Sequence, residues 1–290
     1  MAVQAKVIKQ KIKGVGNIRK ITRTMEMASV SKMKKATSHA LSLREYRFES
    51  ESLVQNLLKK TETQTLYSKK KKEINKKLII LVGSNKGLCG SYNTNIYRAL
   101  SKKVKEEKAT LEIITVGKQA EKIARRLELG VTASFVEWGD VISFEDTQPL
   151  IDIVLKSFAS DKYDSVEILY TEYIKAMNYR VNSKSLLPIE NLVSGDLEII
   201  KKIQTDIVVE PNESEVLSVI VPRVIHAVVH SSILESFASE HSSRMFAMNT
   251  ATENAKEMLR TLTITYNRAR QDAVTQELAE IAAGAGATTK

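Results

Sequence analysis

Two histidines stand four residues apart in a segment with helical periodicity, a spacing that could place both imidazoles on one metal ion. They are His226 and His230. In zinc proteases that use this spacing, a glutamate directly after the first histidine acts as the general base, but position 227 is alanine here. No other pattern of histidines and acids in the sequence completes a ligand set. We therefore expect no metal, and two polar positions on a partly buried helix.

A glycine-rich loop, residues 83–90, follows an apolar run, as phosphate-binding loops follow a strand. It lacks both the Gly-Lys-Ser/Thr ending of a P-loop and the GxGxxG spacing of a dinucleotide site. A tight turn between strand and helix is therefore favoured over a nucleotide site. Cys89, the single cysteine, excludes an internal disulfide. With no histidine near it in the sequence, we expect a packed cysteine and not a reactive thiol.

The net charge of +10 is concentrated at one end of the chain. Residues 1–77 hold 20 Lys and Arg against 6 Asp and Glu, whereas the remainder holds 24 against 28. A basic segment indicates an anionic partner: nucleic acid, acidic lipid or an acidic protein surface. Residues 1–45 contain no aromatic residue on which bases could stack, which favours a protein partner. We see no secretory signal and no apolar stretch of about 18 residues, so membrane contact is expected only through partners.

The elements that carry these residues are of two kinds. Apolar residues recur every three or four positions from Val3 to about Leu58, and again from about Glu213 to Ile281. The first stripe is predicted to include Ile8, Ile12, Val15, Ile18, Ile21, Met25 and Ala28. Gly14 and Gly16 weaken the first helix, and a kink or a helix start is expected at Pro222. Because each helix has one apolar stripe, we predict that they pack as an antiparallel coiled coil.

Between the helices the periodicity changes to short apolar runs, which indicate strands. They are residues 78–82, 113–116, 131–136 and 166–170, with 207–209 as a candidate fifth. Predicted helices at 91–106, 118–128 and 146–160 alternate with them, which indicates a mainly parallel sheet. The lysine run 69–72 reads as an exposed linker. The predicted fold class is therefore α/β: an N-terminal coiled-coil helix (1–65), an inserted Rossmann-like domain (76–211) and a C-terminal coiled-coil helix (212–290).

Four segments together resemble the gamma subunits of F-type ATP synthases. They are ITRTMEMASVSKM (21–33), SEHSSRMFAM (239–248), YNRARQ (266–271) with VTQELAEI (274–281), and the turn Gly87-Leu88-Cys89-Gly90. The resemblance covers essentially the whole chain, and the order and spacing of the segments agree with the family. Asn85 departs from it, since an aspartate commonly precedes this turn. The chain also lacks the cysteine-bearing insert of plant chloroplast gamma subunits, so we expect no thiol switch.

The resemblance implies a central rotor shaft without catalytic residues or cofactors of its own. The shaft would turn inside a ring of alpha and beta subunits, and its foot would rest on an epsilon subunit and the membrane c-ring. By family position, the residues facing the alpha/beta ring would be Met25, Lys32, Arg244, Arg270, Gln271, Thr275 and Glu277. For Met25, an ordinary coiled-coil contact is an equal alternative. A bacterial source is favoured over a processed mitochondrial chain, with the complex peripheral on the cytoplasmic side of the inner membrane.

Two other functions compete with this interpretation. A nucleotide-using α/β enzyme would bind or turn over nucleotide as the purified chain, but it leaves the two long helices unexplained. A nucleic-acid-binding coiled coil would show binding that weakens steeply with salt. The net negative charge of residues 78–290 and the small apolar side chains of residues 281–287 argue against it.

Overall fold

The computed structural model describes residues 2–60, 66–68, 73–136, 138–139, 142–193, 209–210 and 212–288. The elements in chain order are α1 (Ala2–Lys60), β1 (Lys76–Val82), α2 (Tyr92–Glu106), β2 (Thr110–Val116), α3 (Lys118–Arg126), β3 (Gly130–Phe135), a short 3-10 helix (Glu145–Thr147), α4 (Gln148–Ala159), β4 (Ser165–Lys175), β5 (Asn178–Leu187), α5 (Ile189–Val193) and α6 (Glu213–Thr288). The chain divides into two compact units. The first consists of the residues up to Ser29 and from Arg244 onward, and the second runs from Val30 to Ser243.

Both predicted terminal helices are present, and neither is interrupted. The start of α6 is set by Asn212, whose side-chain oxygen accepts a hydrogen bond from the Glu215 backbone N–H at 2.9 Å. Glu213 and Glu215 in the first turn suit the positive end of the helix dipole. The expectation of a kink or a start at Pro222 is wrong about the start, because the helix begins nine residues earlier and continues through the proline.

In the first unit, α1 and α6 pack side by side and antiparallel, as predicted. The Thr252 hydroxyl donates to the Thr22 hydroxyl at 2.8 Å, and the Asn249 side-chain N–H donates to Glu26 at 3.2 Å. The partner number falls on α6 as the number rises on α1, which defines the antiparallel direction. The buried seam on α1 includes Thr22, Glu26 and Ser29, each no more than 9% exposed.

That seam corrects the predicted stripe. Ile18 and Ile21, assigned to the buried face, are 54% and 58% exposed, and Ala28 is also exposed. Burial follows alternating three- and four-residue steps from Ile8 through Ile12 and Val15, the repeat of a coiled-coil seam. The predicted stripe included every apolar residue of the pattern. It therefore combined two different faces of α1: the seam, and a second apolar face that α6 does not cover.

The second unit contains a five-stranded sheet within its described residues, in the order β3-β2-β1-β4-β5. β1, β2, β3 and β4 pair in parallel, and β5 runs antiparallel to β4. The predicted mainly parallel sheet is therefore confirmed. The sequence interpretation missed β5, a mostly polar strand at one edge. Residues 207 and 208 of the candidate strand, and the predicted linker 69–72, lie outside the described residues.

β1 explains why the centre of the sheet has a continuous apolar sequence. Alternate residues of this strand point to opposite faces, and both faces are covered. Leu78, Ile80 and Val82 pack in the hydrophobic core that contains residues of α1, α4 and α6. Ile79 and Leu81 pack in the core under α2 and α3. The sheet thus joins both long helices of this unit to one core.

Candidate partner-binding surfaces

A basic groove of about 680 Å³ lies between α1 and α6 in the first unit. It is lined by Arg19, Lys20, Arg23, Thr24, Thr252, Glu253 and Lys256. Arg23 pairs with Glu26 at 2.9 Å, and Lys256 pairs with Glu253 at 3.2 Å. Among the described residues, Arg19 and Lys20 have no carboxylate partner, so the groove keeps an excess of positive charge. This chemistry suits an anionic segment of a partner.

An exposed apolar ridge runs along α1 beside the groove. Its members are Ile18, Ile21, Met25 and Ala28. Met25, a predicted partner-binding residue, is half-buried and borders a shallow apolar depression with Ile21, Lys20 and Thr24. An apolar ridge next to unpaired cations is typical of a surface that another protein covers.

The C-terminal part of α6 is exposed on all sides through residue 282 apart from a few half-buried positions. Four predicted partner-binding residues lie here: Arg270, Gln271, Thr275 and Glu277, all exposed. The Thr275 hydroxyl donates to the Gln271 carbonyl at 2.9 Å, one turn back on the same helix. Val274, Leu278 and Ile281 follow a helical spacing and are 49%, 62% and 69% exposed. The unit thus presents a second uncovered apolar stripe.

Of the seven predicted partner-binding residues, six belong to the first unit and Lys32 to the second. Lys32 is half-buried in the second unit and has an interaction within the chain. Arg244 is only 7% exposed and is likewise engaged within the chain. Lys32 and Arg244 therefore present less surface to a partner than the exposed residues of α6. Their partner-binding role stays a prediction.

The turn Gly87-Leu88-Cys89-Gly90 is a packed connection between β1 and α2. Leu88 and Gly90 have positive φ values of 60° and 56°. Cys89 is 3% exposed, and its sulfur accepts a hydrogen bond from the Asn93 side chain at 3.1 Å. The Cys89 carbonyl accepts from the Ser243 hydroxyl on α6 at 2.6 Å. These contacts support the tight turn with a packed cysteine that the sequence favoured.

Gly117, at the end of β2, shows how closely the chain packs near this turn. Its φ is 93°, and a Cβ at this position would lie 2.4 Å from the Gly83 carbonyl oxygen. The Gly83 N–H in turn donates to the Val116 carbonyl at 2.8 Å. Only glycine combines this backbone conformation with so close an approach.

The two histidines are more deeply buried than expected, since each is 4% exposed. His226 Nε2 lies 2.7 Å from the Thr147 hydroxyl, and the Phe144 ring stacks on the His226 imidazole. Burial lowers the pKa of both histidines, and for His230 the pKa falls to about 4, with the nearby His226 as a second cause. No group of three or more His, Cys, Asp or Glu in the described part of the chain is arranged to hold a metal.

The sequence interpretation gave no individual role to two sets of residues, although Ser239, Ser242 and Ser243 lie in the segment 239–248 that carries the resemblance. Thr252 and Lys256 complete the groove from the α6 side, and no local motif marks them. A set of buried serines on α6 contacts the sheet and the Cys89 turn, namely Ser236, Ser239, Ser242 and Ser243, which we call the serine row. Their spacing of three and four residues was a signal, because serine is uncommon inside a helix unless it has a partner.

An 18-residue window of α6 has a mean hydropathy of 1.6, sufficient for a membrane span by length and composition alone. Within the structure, 67% of that window is buried against the rest of the protein, as in a core helix of a globular protein. The window is therefore weak support for a span.

Comparisons with known proteins find one family along nearly the whole chain. The ATP synthase family model matches residues 4–288. The ATP synthase gamma chain of Chloroflexus aurantiacus is 35% identical over 288 residues, covering 97% of this chain and 98% of the relative. That of Ruthia magnifica is 34% identical over 286 residues, with the same coverage.

Solved structures also share the fold. A chain of the Euglena gracilis mitochondrial ATP synthase, from an OSCP/F1/c-ring structure, superposes with a TM-score of 0.71 at 21% identity, covering 99% of this chain and 95% of that one. A chain of the Tetrahymena thermophila central stalk and c-ring gives 0.61 at 25% identity, covering 80% and 99%.

Proposed function

The chain belongs to the ATP synthase gamma-chain family, and from this premise we propose that it is the central rotor shaft of an F-type ATP synthase. The observation that carries the proposal is the match to gamma chains over 97% of the sequence. In this role the chain couples ion-driven rotation of the c-ring to the conformational cycle of the alpha/beta head. Its partners are the alpha, beta and epsilon subunits and the c-ring.

The surfaces of the first unit support this role. A shaft inside a ring of subunits must carry faces that its own fold leaves uncovered, and the ridge on α1 and the stripe of Val274, Leu278 and Ile281 are such faces. The basic groove fits acidic segments of the head. Opposite charges there would aid engagement and register more than raw affinity. We propose that Met25 and the four exposed residues of α6 belong to this contact surface.

We also propose that the chain performs no bond chemistry. The residue types that could do chemistry are occupied structurally: Cys89 is packed in its turn, and His226 and His230 are buried against Thr147 and Phe144. The shaft would consist of residues 1–65 and 212–290, with 76–211 as the inserted domain. The complex is membrane-associated, and we place it, as a proton-translocating synthase, on the cytoplasmic side of a bacterial inner membrane.

Co-purification tests this function. A tagged chain expressed in its source cell should bring alpha, beta and epsilon subunits and, from gently solubilised membranes, the c-ring. Absence of alpha and beta subunits from the purified material would refute the proposal.

The groove can be tested in the same experiment. Arg19→Glu/Lys20→Glu should weaken retention of the alpha/beta head as salt is raised. The control Lys105→Glu/Lys108→Glu makes the same charge change at exposed positions in and after α2. Equal retention of the alpha/beta head by both variants would show that the groove is not part of the contact surface.

A further inference from the structure

Part of strand β4 has no strand partner on one of its edges within the described residues. β1 pairs with β4 only from Ser165 to Leu169, whereas β5 pairs with the other edge as far as Lys175. Thr171 lies just beyond the last β1 pair and is 1% exposed. A buried backbone N–H or carbonyl that faces this edge has no strand to bond it, which is costly unless another group does so.

The serine row of α6 supplies the missing partners. The Thr171 N–H donates to the Ser236 hydroxyl oxygen at 2.9 Å, and the Ser239 hydroxyl donates to the Thr171 carbonyl at 3.2 Å. Both serines are fully buried. One helix thus takes the place of a strand at this edge, through two hydroxyls one turn apart.

The same row continues to two further parts of the second unit. The Met177 N–H, in the connection between β4 and β5, donates to the Ser242 hydroxyl at 3.0 Å. Ser243 donates to the Cys89 carbonyl and accepts from the Tyr179 hydroxyl at 2.8 Å. The β4–β5 hairpin and the Cys89 turn are therefore fastened to successive positions of one helix.

These contacts differ in kind from the apolar packing around them. Hydrophobic burial is non-directional, so it resists separation of two surfaces more than sliding of one along the other. Hydrogen bonds weaken steeply with distance and angle, and they are stronger in a buried, low-dielectric setting. A row of buried hydroxyls at fixed spacing therefore opposes sliding and turning of the helix against the sheet.

We propose that the serine row is a register lock that passes torque between the inserted domain and the C-terminal helix. The inference rests on the proposed rotor function and adds the residues through which rotation is transmitted. The serines are positioning residues: they contact no substrate, and they keep the sheet and α6 in one register under load. Losing two such buried hydrogen bonds corresponds to a change of about tenfold to thirtyfold in the population of a slipped register.

The test compares two variants in the intact, membrane-bound complex. Ser236→Ala/Ser239→Ala removes the two α6 bonds described above and the longer 3.5 Å bond from the Ser236 hydroxyl to the Thr171 carbonyl. Ser165→Ala is the matched control, because Ser165 is also buried in the second unit but its hydroxyl donates to the Leu187 carbonyl within the sheet, at 3.2 Å. ATP hydrolysis and ATP-driven ion pumping are measured on the same preparations. We expect the double variant to keep its hydrolysis rate and to pump fewer ions per ATP, while the control keeps the ratio of the unsubstituted complex.

Each result of this comparison either supports or overturns the proposed register lock. An assembled double variant with an unchanged ratio of ions to ATP overturns the lock, as does an equal fall of the ratio in Ser165→Ala. If the double variant does not assemble, the single variant Ser239→Ala is measured instead, because it keeps both contacts between Ser236 and Thr171. A fall in its ratio of ions to ATP supports the lock, and an unchanged ratio overturns it. If the unsubstituted complex lacks alpha and beta subunits or does not pump, the proposed rotor function fails, which is distinct from failure of the lock.

Discussion

Replacing Arg47 by leucine should destabilise the second unit more than any surface substitution in it. The Arg47 side chain is 8% exposed, and its guanidinium lies 3.2 Å from a Glu235 carboxylate oxygen and 3.4 Å from the Ser231 hydroxyl. It also lies 3.7 Å from Glu51, but Glu51 keeps a second cation, Lys184, at 2.9 Å. The residue left without a cation at ion-pair distance, among the described residues, is therefore Glu235.

The size of the effect follows from that isolated carboxylate. Removing one partner of a buried ion pair costs about 3–5 kcal/mol, because the remaining charge stays buried without compensation. Replacing both partners by apolar residues is much less costly, so Arg47→Leu/Glu235→Leu should recover about 2–3 kcal/mol of the loss. The free energy of unfolding of the purified chain, from urea denaturation followed by circular dichroism, measures both values.

The pH dependence supplies an independent check. Burial raises the pKa of Glu235 above its ordinary value of 4.5, and the Arg47 charge opposes that rise. A raised carboxyl pKa means that the folded state holds its proton more tightly than the unfolded state. The protonated Glu235 side chain therefore contributes stability that is fully present below pH 4.5. That contribution is lost as pH rises through the pKa of Glu235 in the folded state. Without Arg47 the pKa rises further, so the deficit of Arg47→Leu should be smaller at pH 5 than at pH 8.

A nearby arginine provides the control. Arg44 is exposed on the same helix and, like Arg47, lies over the Phe48 ring. Arg44→Leu should change the unfolding free energy by no more than about 0.5 kcal/mol. The reasoning is refuted if Arg47→Leu behaves like Arg44→Leu, or if the double variant is as unstable as the sum of its two single variants.

Three further predictions concern other parts of the chain. Gly117→Ala should cost about 2–4 kcal/mol in thermal unfolding, because its Cβ meets a carbonyl oxygen at a positive φ, whereas Gly87→Ala, with open space around it, should be nearly neutral; equal melting temperatures would contradict this. His230 has its pKa lowered to about 4, so the unfolded state takes up a proton first and stability should fall by about 2 kcal/mol as pH drops from 6.5 to 4. His230→Leu should lose that pH dependence in urea titrations. Lys32→Glu/Arg270→Glu should weaken the coupling of ATP hydrolysis to ion pumping. Unchanged ATP-driven pumping in the assembled complex would reject a partner-binding role for both residues.

Much of the fold was predictable because its elements carry one dominant pattern each. β1 has an unbroken apolar sequence, since it is central and covered on both faces, and its helical neighbours repeat with the helix period. β5 escaped prediction because it lies at an edge of the sheet, where half-exposed side chains such as Asn182 and Lys184 give no apolar run. Its place is decided by pairing with β4 across a two-residue connection, Ala176-Met177, which has no glycine or Asn-Gly signal for a hairpin.

The partner-binding surfaces were harder to predict for a different reason. A periodic stripe reports that a helix face avoids water, but it does not report what covers that face. On α1, the residues Ile8, Ile12 and Ile21 belong to the same apolar pattern in sequence, yet only the first two lie along the seam with α6. Step lengths alternating between three and four would have placed Thr22 and Glu26 in the seam and left Ile21 outside it.

The polar character of that seam bears on how a helical pair can act as a shaft. Thr22 and Glu26 bond to Thr252 and Asn249, so the seam has directional contacts beside its apolar ones. Polar groups inside a coiled coil fix register at a cost in stability. The serine row repeats the same device in the second unit, where α6 meets the sheet. A chain whose role is to transmit rotation needs a fixed register more than maximal stability, and its apolar side chains are then free to face the partners that enclose it.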